Sequence, residues 1–215
     1  MDPKTRYEKE RLDGKQQRLS LILEAAERVF NQKGIEKTTM QDIATDANIG
    51  IATLFRYFPK KEKLIVAVAT RLLEPMLERF EYVAGLPVPC LDKLEALFDF
   101  FIEDHYKLST TFMVDFESYA AHFPEPLEDI HHFNALTRRI SQVYSRIIQN
   151  GIEDGSVRSD LEVRDTLTTL INTFGIFSKK LSLQKNIPML EADLTTELQL
   201  DILKRVFLDY LKPPV

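Results

Sequence analysis

Two short helical patterns separated by only a few residues constrain the fold more than any other feature of the sequence. Thr39 followed by Asp42 is a capping-box-like start, in which the Thr39 hydroxyl can accept a hydrogen bond from the amide of Asp42. Asn48 stands where the chain must turn, and asparagine readily accepts a left-handed backbone. A second helix follows Gly50 and ends before Pro59, because proline disfavours helix in the residue before it. The pattern predicts two helices joined by a tight turn.

The two helices have the apolar residues that a helix-turn-helix requires. Those that face one another across the turn are Ile43, Ala44, Ala47, Ile49, Leu54 and Phe58. The remaining face of the second helix carries Ile51, Ala52, Phe55 and Arg56. In a helix-turn-helix the second helix lies in the major groove of DNA while the first braces it. We therefore expect this remaining face to be available to base edges.

Helical spacing of apolar residues continues along the rest of the chain and predicts an all-α protein of about nine helices. A first helix is expected from Lys15 to about Gly34, and a fourth over 60–82 with Pro75 as a kink or break. The later helices are expected at about 91–107, 109–122, 126–153, 161–183 and 193–211. The predicted organisation is a mobile charged arm at 1–15, a helix-turn-helix domain at 16–64 and a helical body at 65–215.

Charge is distributed unevenly along the chain. The net charge of −5 argues by itself against a nucleic-acid-binding protein. However, residues 1–64 contain 13 Lys and Arg against 10 Asp and Glu, which is +3, whereas residues 65–215 contain 15 against 23, which is −8. A mildly basic first module on an acidic body is compatible with phosphate contact at one end of the chain.

Several classes of protein are excluded by what the sequence contains. Its single cysteine, Cys90, cannot form an internal disulfide and fits a reducing compartment. The charged N-terminus has no apolar signal core, and no apolar run approaches the ~20 residues that span a bilayer. We therefore expect a cytoplasmic protein without membrane contact. The four histidines form no defined ligand pattern with the acids, so neither a metal nor another cofactor is expected.

Residues 20–64 resemble the N-terminal module of the tetracycline-repressor (TetR) family of bacterial regulators. The resemblance includes Thr38-Thr39, Asp42-Ile43-Ala44 and the run TLFRYF at 53–58, which is followed by Lys61 and Leu64. A weaker similarity occurs around Gly155, where many members join their seventh and eighth helices. Gly50 departs from the family, which usually has a residue like Ser or Thr there, and Ile51 replaces a residue that is often polar or basic. The operator sequence therefore cannot be transferred from relatives.

The resemblance implies roles for individual residues of the helix-turn-helix. Thr39, Thr53, Tyr57 and Lys61 would hold phosphates, while Ile51, Ala52, Phe55 and Arg56 would face base edges. The chemistry agrees, because hydroxyls and an ammonium bind a backbone without reading sequence, whereas an arginine fork pairs with guanine and apolar groups contact thymine methyls. Taken singly, each residue could instead be an ordinary packing residue or a solvated charge. Taken together in this order, they favour double-stranded DNA as a partner.

The helical body implies two further partners by the same resemblance. Family members commonly enclose an effector in this part of the chain, and aromatic side chains would suit an apolar or aromatic small molecule. The expected lining residues are Phe101, Phe112, Phe116, Tyr119 and Phe174, although aromatic stripes at helical spacing usually belong to a core. The last two helices carry more apolar surface than one bundle face needs, and in the family they pair with a second copy as a homodimer.

The function predicted from the sequence is a ligand-responsive transcriptional regulator, most simply a repressor. A homodimer would bind a near-palindromic operator and be released when the effector favours an arrangement that does not bind DNA. An activator and a ligand-binding protein with a vestigial DNA module remain alternatives. An enzyme is the weakest alternative, because the sequence contains no nucleophile elbow, phosphate loop or coherent acid and base pair.

Overall fold

The computed structural model describes residues 2–104, 109–183 and 195–214. Within these ranges the backbone forms nine α-helices and no strand, which confirms the predicted all-α fold. The helices are α1 (Pro3–Lys33), α2 (Met40–Asp46), α3 (Ile51–Tyr57), α4 (Lys61–Ala84), α5 (Cys90–Asp104), α6 (Ser109–Ala120), α7 (Ile130–Glu153), α8 (Val163–Leu183) and α9 (Thr196–Leu211). Among the described helices, none is both long and apolar enough to cross a membrane.

Helix α1 begins at Pro3, so the start predicted near Lys15 is wrong. Proline suits the first helical position because its backbone angle is already helical. Arg6 pairs with Glu10 one turn later at 3.0 Å, and such pairs support an exposed helix without burying apolar surface. A search for apolar periodicity therefore could not detect this part of α1. The helix ends at Gly34, whose φ of 82° is readily adopted by glycine.

One compact unit consists of Met1–Arg71 and Asp115–Ile130. In it α1 packs on α2, and α2 packs on α3. Its buried apolar residues from these three helices include Ile22, Ala26, Phe30, Ile43, Ala44 and Leu54. The polar residue Thr38 is also buried there, and its hydroxyl donates a hydrogen bond to the carbonyl oxygen of Gly34 at 2.8 Å. This bond satisfies the hydroxyl in an environment that excludes water.

The second compact unit consists of Leu72–Val114 and His131–Val215. Its helix α9 packs against both α5 and α8. The core is apolar and continuous, and it contains Phe80, Leu94, Leu97, Phe98, Tyr144, Ile148, Phe174 and Leu200 among others. Lys204 of α9 lies at the edge of this core and pairs with Asp99 of α5 at 2.8 Å. The boundary predicted between residues 64 and 65 falls inside α4, and the domain ranges stay a prediction.

Pro75, where the sequence predicted a kink or a break, does not break α4. The kink stays a prediction. The helix is continuous from Lys61 to Ala84, with Pro75 inside it. A proline in a helix removes one backbone hydrogen bond, and this loss costs least where water can replace the missing donor. Pro75 is exposed, which meets that condition.

Candidate nucleic-acid interface

The start of α2 is held by a reciprocal pair of hydrogen bonds between Thr39 and Asp42. The Thr39 hydroxyl oxygen accepts from the Asp42 amide at 3.1 Å, and the Asp42 carboxylate accepts from the Thr39 amide at 2.9 Å. Lys33 of α1 donates to the same carboxylate at 2.6 Å. The hydrogen bond from Lys33, followed by that from the Thr39 amide, lowers the pKa of Asp42 to about 2. The capping box predicted from the sequence is therefore confirmed.

The turn between α2 and α3 has the left-handed residue that the sequence predicted. Asn48 has a φ of 52°, and its amide donates to the carbonyl of Thr45 at 3.1 Å. The next amide, that of Ile49, donates back to Ala44 at 3.0 Å. These bonds end α2 and redirect the chain into α3 within a few residues.

Helix α3 separates a buried side from an exposed one. Leu54 is fully buried and Phe58, directly after the helix, is almost so. Ala52 and Arg56 are exposed, and Phe55 keeps 45% of its surface accessible. A phenylalanine packed into a core would lose nearly all of that surface, whereas Phe55 is only about half-buried.

The remaining predicted contacts lie on α3 itself and at the starts of α2 and α4. Ile51, Thr53 and Tyr57 are each half-buried in α3, while Thr39 is exposed at the start of α2. Lys61 is half-buried, and its ammonium donates to the carbonyl oxygen of Glu36 at 3.1 Å. Burial lowers the pKa of Lys61, and the neighbouring carboxylate of Glu62 opposes that effect.

An ion pair between α1 and α2 orients the helix-turn-helix. Arg28 of α1 reaches the Asp46 carboxylate with two nitrogens, Nε at 3.1 Å and one terminal nitrogen at 2.8 Å. Two hydrogen bonds from one planar guanidinium restrict orientation as well as distance. Both side chains are partly exposed, so the pair contributes little to the free energy of unfolding. We assign it the role of orienting α2.

An acidic pair, Glu128 and Asp129, contacts α4 within the compact unit that contains the helix-turn-helix. Glu128 contacts Lys60 at 3.2 Å and Lys63 at 2.8 Å, and Asp129 contacts Lys63 at 3.1 Å. The hydrogen bond from Lys63 lowers the pKa of Glu128, and the hydrogen bond to Glu128 raises that of Lys63. No sequence signal connects these residues, because they are more than sixty positions apart along the chain.

The aromatic residues predicted to line an effector site occupy several places in the fold. Phe112 and Phe116 of α6 are buried. The Tyr119 hydroxyl donates to the Glu62 carboxylate at 3.2 Å, and burial, reinforced by that charge, raises the pKa of Tyr119 to about 12. Phe174 lies in the core of the second unit. The side chain of Phe101 is outside the described residues.

Phe174 belongs to a cluster of three rings from three helices. Its ring centroid lies 5.6 Å from that of Phe98 and 6.5 Å from that of Phe207, which are themselves 5.9 Å apart. Tilted rings at these separations attract one another. The cluster joins α5, α8 and α9, so Phe174 has a structural role in addition to any role toward a ligand.

A polar surface depression of about 230 Å³ lies in the second unit. Its lining residues are Glu81, Arg139, Gln142, Val143 and Arg146. None of them is an aromatic residue predicted from the sequence, and Arg139 pairs with Glu81 at 2.6 Å. This depression is too polar to suit an apolar effector. In the described part of the chain, no group of three His, Cys, Asp or Glu side chains could hold a metal ion.

Helix α9 has a continuous apolar stripe on its exposed side. Leu198, Ile202, Val206 and Tyr210 are spaced four residues apart, and each keeps between 45% and 56% of its surface accessible. Residues at this spacing lie on one helix face. Ile171 and Ile176 of α8 are exposed as well.

Other apolar residues of α8 and α9 are buried inside the second unit. These residues are Leu167, Leu170, Phe174, Leu181 and Phe207. Helices α8 and α9 therefore use this side for the core of the second unit. The pairing of α8 and α9 with a second copy stays a prediction.

Comparison with known proteins agrees with the helix-turn-helix geometry. Residues 22–68 match the family model described as bacterial regulatory proteins, tetR family. A relative, the HTH-type transcriptional repressor KstR2 of Mycolicibacterium smegmatis, is 27% identical over 147 residues, which are 66% of this chain and 68% of the relative.

Two solved structures share the fold over most of the chain. The ketosteroid transcriptional regulator KstR2 of Mycobacterium tuberculosis superposes with a TM-score of 0.67 at 20% identity, covering 92% of this chain and 96% of that one. The regulator FadR of Bacillus subtilis, solved in complex with stearoyl-CoA, superposes with a TM-score of 0.68 at 17% identity, covering 90% and 99%. At these identities the likeness concerns the fold alone.

Proposed function

Because this chain belongs to the TetR family of bacterial regulatory proteins, we propose that it represses transcription as a homodimer on a near-palindromic operator and is released by an apolar or aromatic effector. Members of the family are transcriptional regulators, so the chain is a DNA-binding regulator and not an enzyme. The effector, the operator and the dimer surface are the parts of the proposal that experiments must test.

The exposed side of α3 is the observation that carries the proposal. Leu54 and Phe58 anchor the helix from behind, which leaves Ala52, Phe55 and Arg56 toward solvent. These three, with Ile51, are proposed to face base edges in the major groove. The residues proposed to bind phosphates are Thr39, Thr53, Tyr57 and Lys61. Neutral hydroxyls and one ammonium can fix the register of the helix on the duplex without reading its sequence.

A homodimer through α8 and α9 would supply the second reading helix. The stripe Leu198, Ile202, Val206 and Tyr210 is exposed in the single chain, and burying such a stripe against its copy removes apolar surface from water. A two-fold dimer then presents two copies of α3 to successive major grooves, about 34–36 Å or a multiple of that distance apart. An operator with two inverted half-sites follows from that symmetry.

The effector is proposed to be an apolar molecule bound near the aromatic residues of the body. Phe112, Phe116, Tyr119 and Phe174 remain the proposed lining residues, together with Phe101. The relatives suggest probes, because one is named a ketosteroid regulator and another was solved with stearoyl-CoA. The dimer is proposed to exist in two arrangements, of which one binds DNA and the other does not. An effector that binds the second arrangement more tightly lowers the affinity for the operator, at most by the ratio of the effector's affinities for the two arrangements.

DNA binding is tested by fluorescence anisotropy with a labelled duplex from upstream of the protein's own gene. Arg56→Ala should weaken binding by about 1–3 kcal/mol and relax the preference for one base, because an arginine fork contacts base edges. Tyr57→Ala should weaken binding to all sequences alike. Arg138→Ala, an exposed arginine of α7, is the matched control and should bind as the wild type does. Unchanged affinity in both α3 variants would contradict the proposal.

The dimer surface and the effector need separate measurements. Val206→Glu should convert the protein to a monomer in analytical ultracentrifugation, while Val88→Glu, an exposed valine outside the stripe, should leave the dimer intact. For the effector, a ketosteroid and stearoyl-CoA are titrated into the preformed operator complex. Release by either supports the proposal, whereas a ligand that binds the protein but never changes DNA affinity contradicts the proposed mechanism.

A further inference from the structure

We propose that Glu128 and Asp129 restrain the sequence-independent part of DNA binding by neutralising Lys60 and Lys63 beside the reading helix α3. The inference rests on the proposed function, since it concerns the strength of the same protein–DNA contact. It assigns to two acidic residues outside the helix-turn-helix a role in determining how tightly the regulator binds DNA of unrelated sequence.

The contacts form a compact cluster of charges. One carboxylate oxygen of Glu128 lies 3.2 Å from the ammonium of Lys60, and the other lies 2.8 Å from that of Lys63. The carboxylate of Asp129 lies 3.1 Å from the same Lys63 ammonium. Lys60 follows α3 after only two intervening residues, Phe58 and Pro59, so its charge lies close in the chain to the residues proposed to contact DNA.

The charge of the whole DNA-reading unit depends on this acidic segment. Residues 1–71 contain fourteen Lys and Arg and ten Asp and Glu, a balance of +4. Residues 115–130 contain five Asp and Glu and no Lys or Arg, a balance of −5. Since both ranges belong to one compact unit, its net charge is −1 rather than +4. A positive unit would attract any duplex, because phosphate contacts are insensitive to sequence.

The acidic segment 115–130 is held in place by contacts that do not involve the carboxylates of Glu128 and Asp129. Leu127 is buried, and the Tyr119 hydroxyl bonds to Glu62 at 3.2 Å. Asp129 has a left-handed φ of 67°, a conformation that asparagine accepts as well as aspartate does. Glu128→Gln with Asp129→Asn therefore removes both charges while preserving side-chain size, turn geometry and the anchoring of the segment.

The ion pairs are exposed enough for DNA phosphates to compete with the carboxylates for Lys60 and Lys63. The Lys60 and Glu128 side chains keep 64% and 50% of their surface exposed, and the Lys63 side chain keeps 25%. Exposed pairs are weak, so a duplex can compete for the lysines. The two carboxylates nevertheless stay beside the incoming phosphate, and their negative charge opposes the contact. Removing the carboxylates leaves both lysines available for phosphate contact.

The experiment measures affinity for a duplex of unrelated sequence and for the operator duplex over a range of salt concentrations. The plot of log affinity against log salt should be steeper for the double variant by about 0.9 for each lysine that gains a phosphate contact. Affinity for the unrelated duplex at low salt should rise about 3-fold to 10-fold. Glu74→Gln with Glu78→Gln changes the net charge equally on exposed positions of α4 in the other unit, and should change the slope much less.

A double-mutant cycle separates this effect from a change in structure. Lys60→Met with Lys63→Met should barely alter the slope in the wild-type background, and should return the steeper slope of the carboxylate variant to its original value. An unchanged slope in the carboxylate variant would overturn the inference, as would a lysine effect of equal size in both backgrounds. If the wild type binds neither duplex, the proposed function itself fails.

Discussion

Cys90 and Gly151 pack so closely that a methyl group on Gly151 would lie 2.5 Å from the Cys90 Sγ atom. The same methyl group would lie 2.6 Å from a side-chain carbon of Val157. The thiol donates to the carbonyl of Ile147 at 3.1 Å, one turn before Gly151 on α7, and therefore cannot easily move away. Glycine is needed here for close approach between α5 and α7 rather than for an unusual backbone angle.

Gly151→Ala should lower the free energy of unfolding by about 1–3 kcal/mol, because overpacking a filled core forces neighbouring atoms to shift. The measurement is chemical denaturation at a fixed protein concentration. Gly14→Ala is the control, since it places the same methyl group on an exposed helical glycine with no atom within 4 Å. The control should leave stability unchanged or raise it by up to about 1 kcal/mol. Equal stability of the two variants would contradict the packing argument.

Lys204→Met should destabilise the second unit, because it leaves the carboxylates of Asp99 and Asp201 close together without their shared cation. Burial opposes the charge of Lys204, but its hydrogen bonds to these carboxylates outweigh that effect and raise its pKa. The contribution is therefore fully present at neutral pH and is lost as the pH rises through the raised pKa. Charged hydrogen bonds of this kind contribute about 1.5–3 kcal/mol.

Lys212→Met tests whether burial explains the contribution of the Lys204 ion pairs to the free energy of unfolding. Lys212 contacts Asp209 at a similar distance, 2.7 Å, but both side chains are more than half exposed. Its replacement should change the free energy of unfolding by less than about 1 kcal/mol, as is usual for surface pairs. Thermal unfolding at pH 7 ranks the two variants, and a larger loss for Lys212→Met than for Lys204→Met would refute the explanation.

Gly50→Ser should stabilise α3. Gly50 precedes α3 with an extended backbone, its φ is −66°, and no side chain caps the helix. The nearest atom to an added Cβ is 4.0 Å away, so serine fits without strain. A serine hydroxyl can accept from the Thr53 amide, and the gain should be about 0.5–1 kcal/mol. Gly155→Ser, at a φ of +80°, should instead lose stability. The midpoint of urea unfolding should move in opposite directions for the two variants.

Asp42→Asn should destabilise the helix-turn-helix at neutral pH and much less in acid. The folded protein holds the pKa of Asp42 at about 2, below its ordinary value of 3.8. A lowered pKa stabilises the fold above the ordinary value, and this contribution disappears as the pH falls from about 4 to about 2. The difference in melting temperature between wild type and variant, measured by circular dichroism from pH 7 to pH 2.5, should shrink over that interval. A constant difference would rule out the carboxylate as its origin.

The sequence predicted the helix-turn-helix well because its determinants are local. The Thr39 and Asp42 capping box and the left-handed Asn48 each involve residues at most a few positions apart. The start of α1 was predicted wrongly, because apolar periodicity does not detect a helical segment that is supported by exposed ion pairs such as Arg6 with Glu10. The apolar pattern on α8 and α9 does not by itself distinguish residues of the core from those of the exposed stripe.

By itself, the sequence determined that the chain is helical and where α3 begins and ends, because caps, turns and helical periodicity act over one or two turns. Only the tertiary structure decided which charges meet: Lys204 with Asp99, 105 positions apart, and Lys60 with Glu128, 68 apart. It also decided that α9 keeps an exposed apolar stripe while Phe207 turns inward. Such pairings depend on how whole helices dock, and docking follows from burial summed over many residues rather than from any short motif.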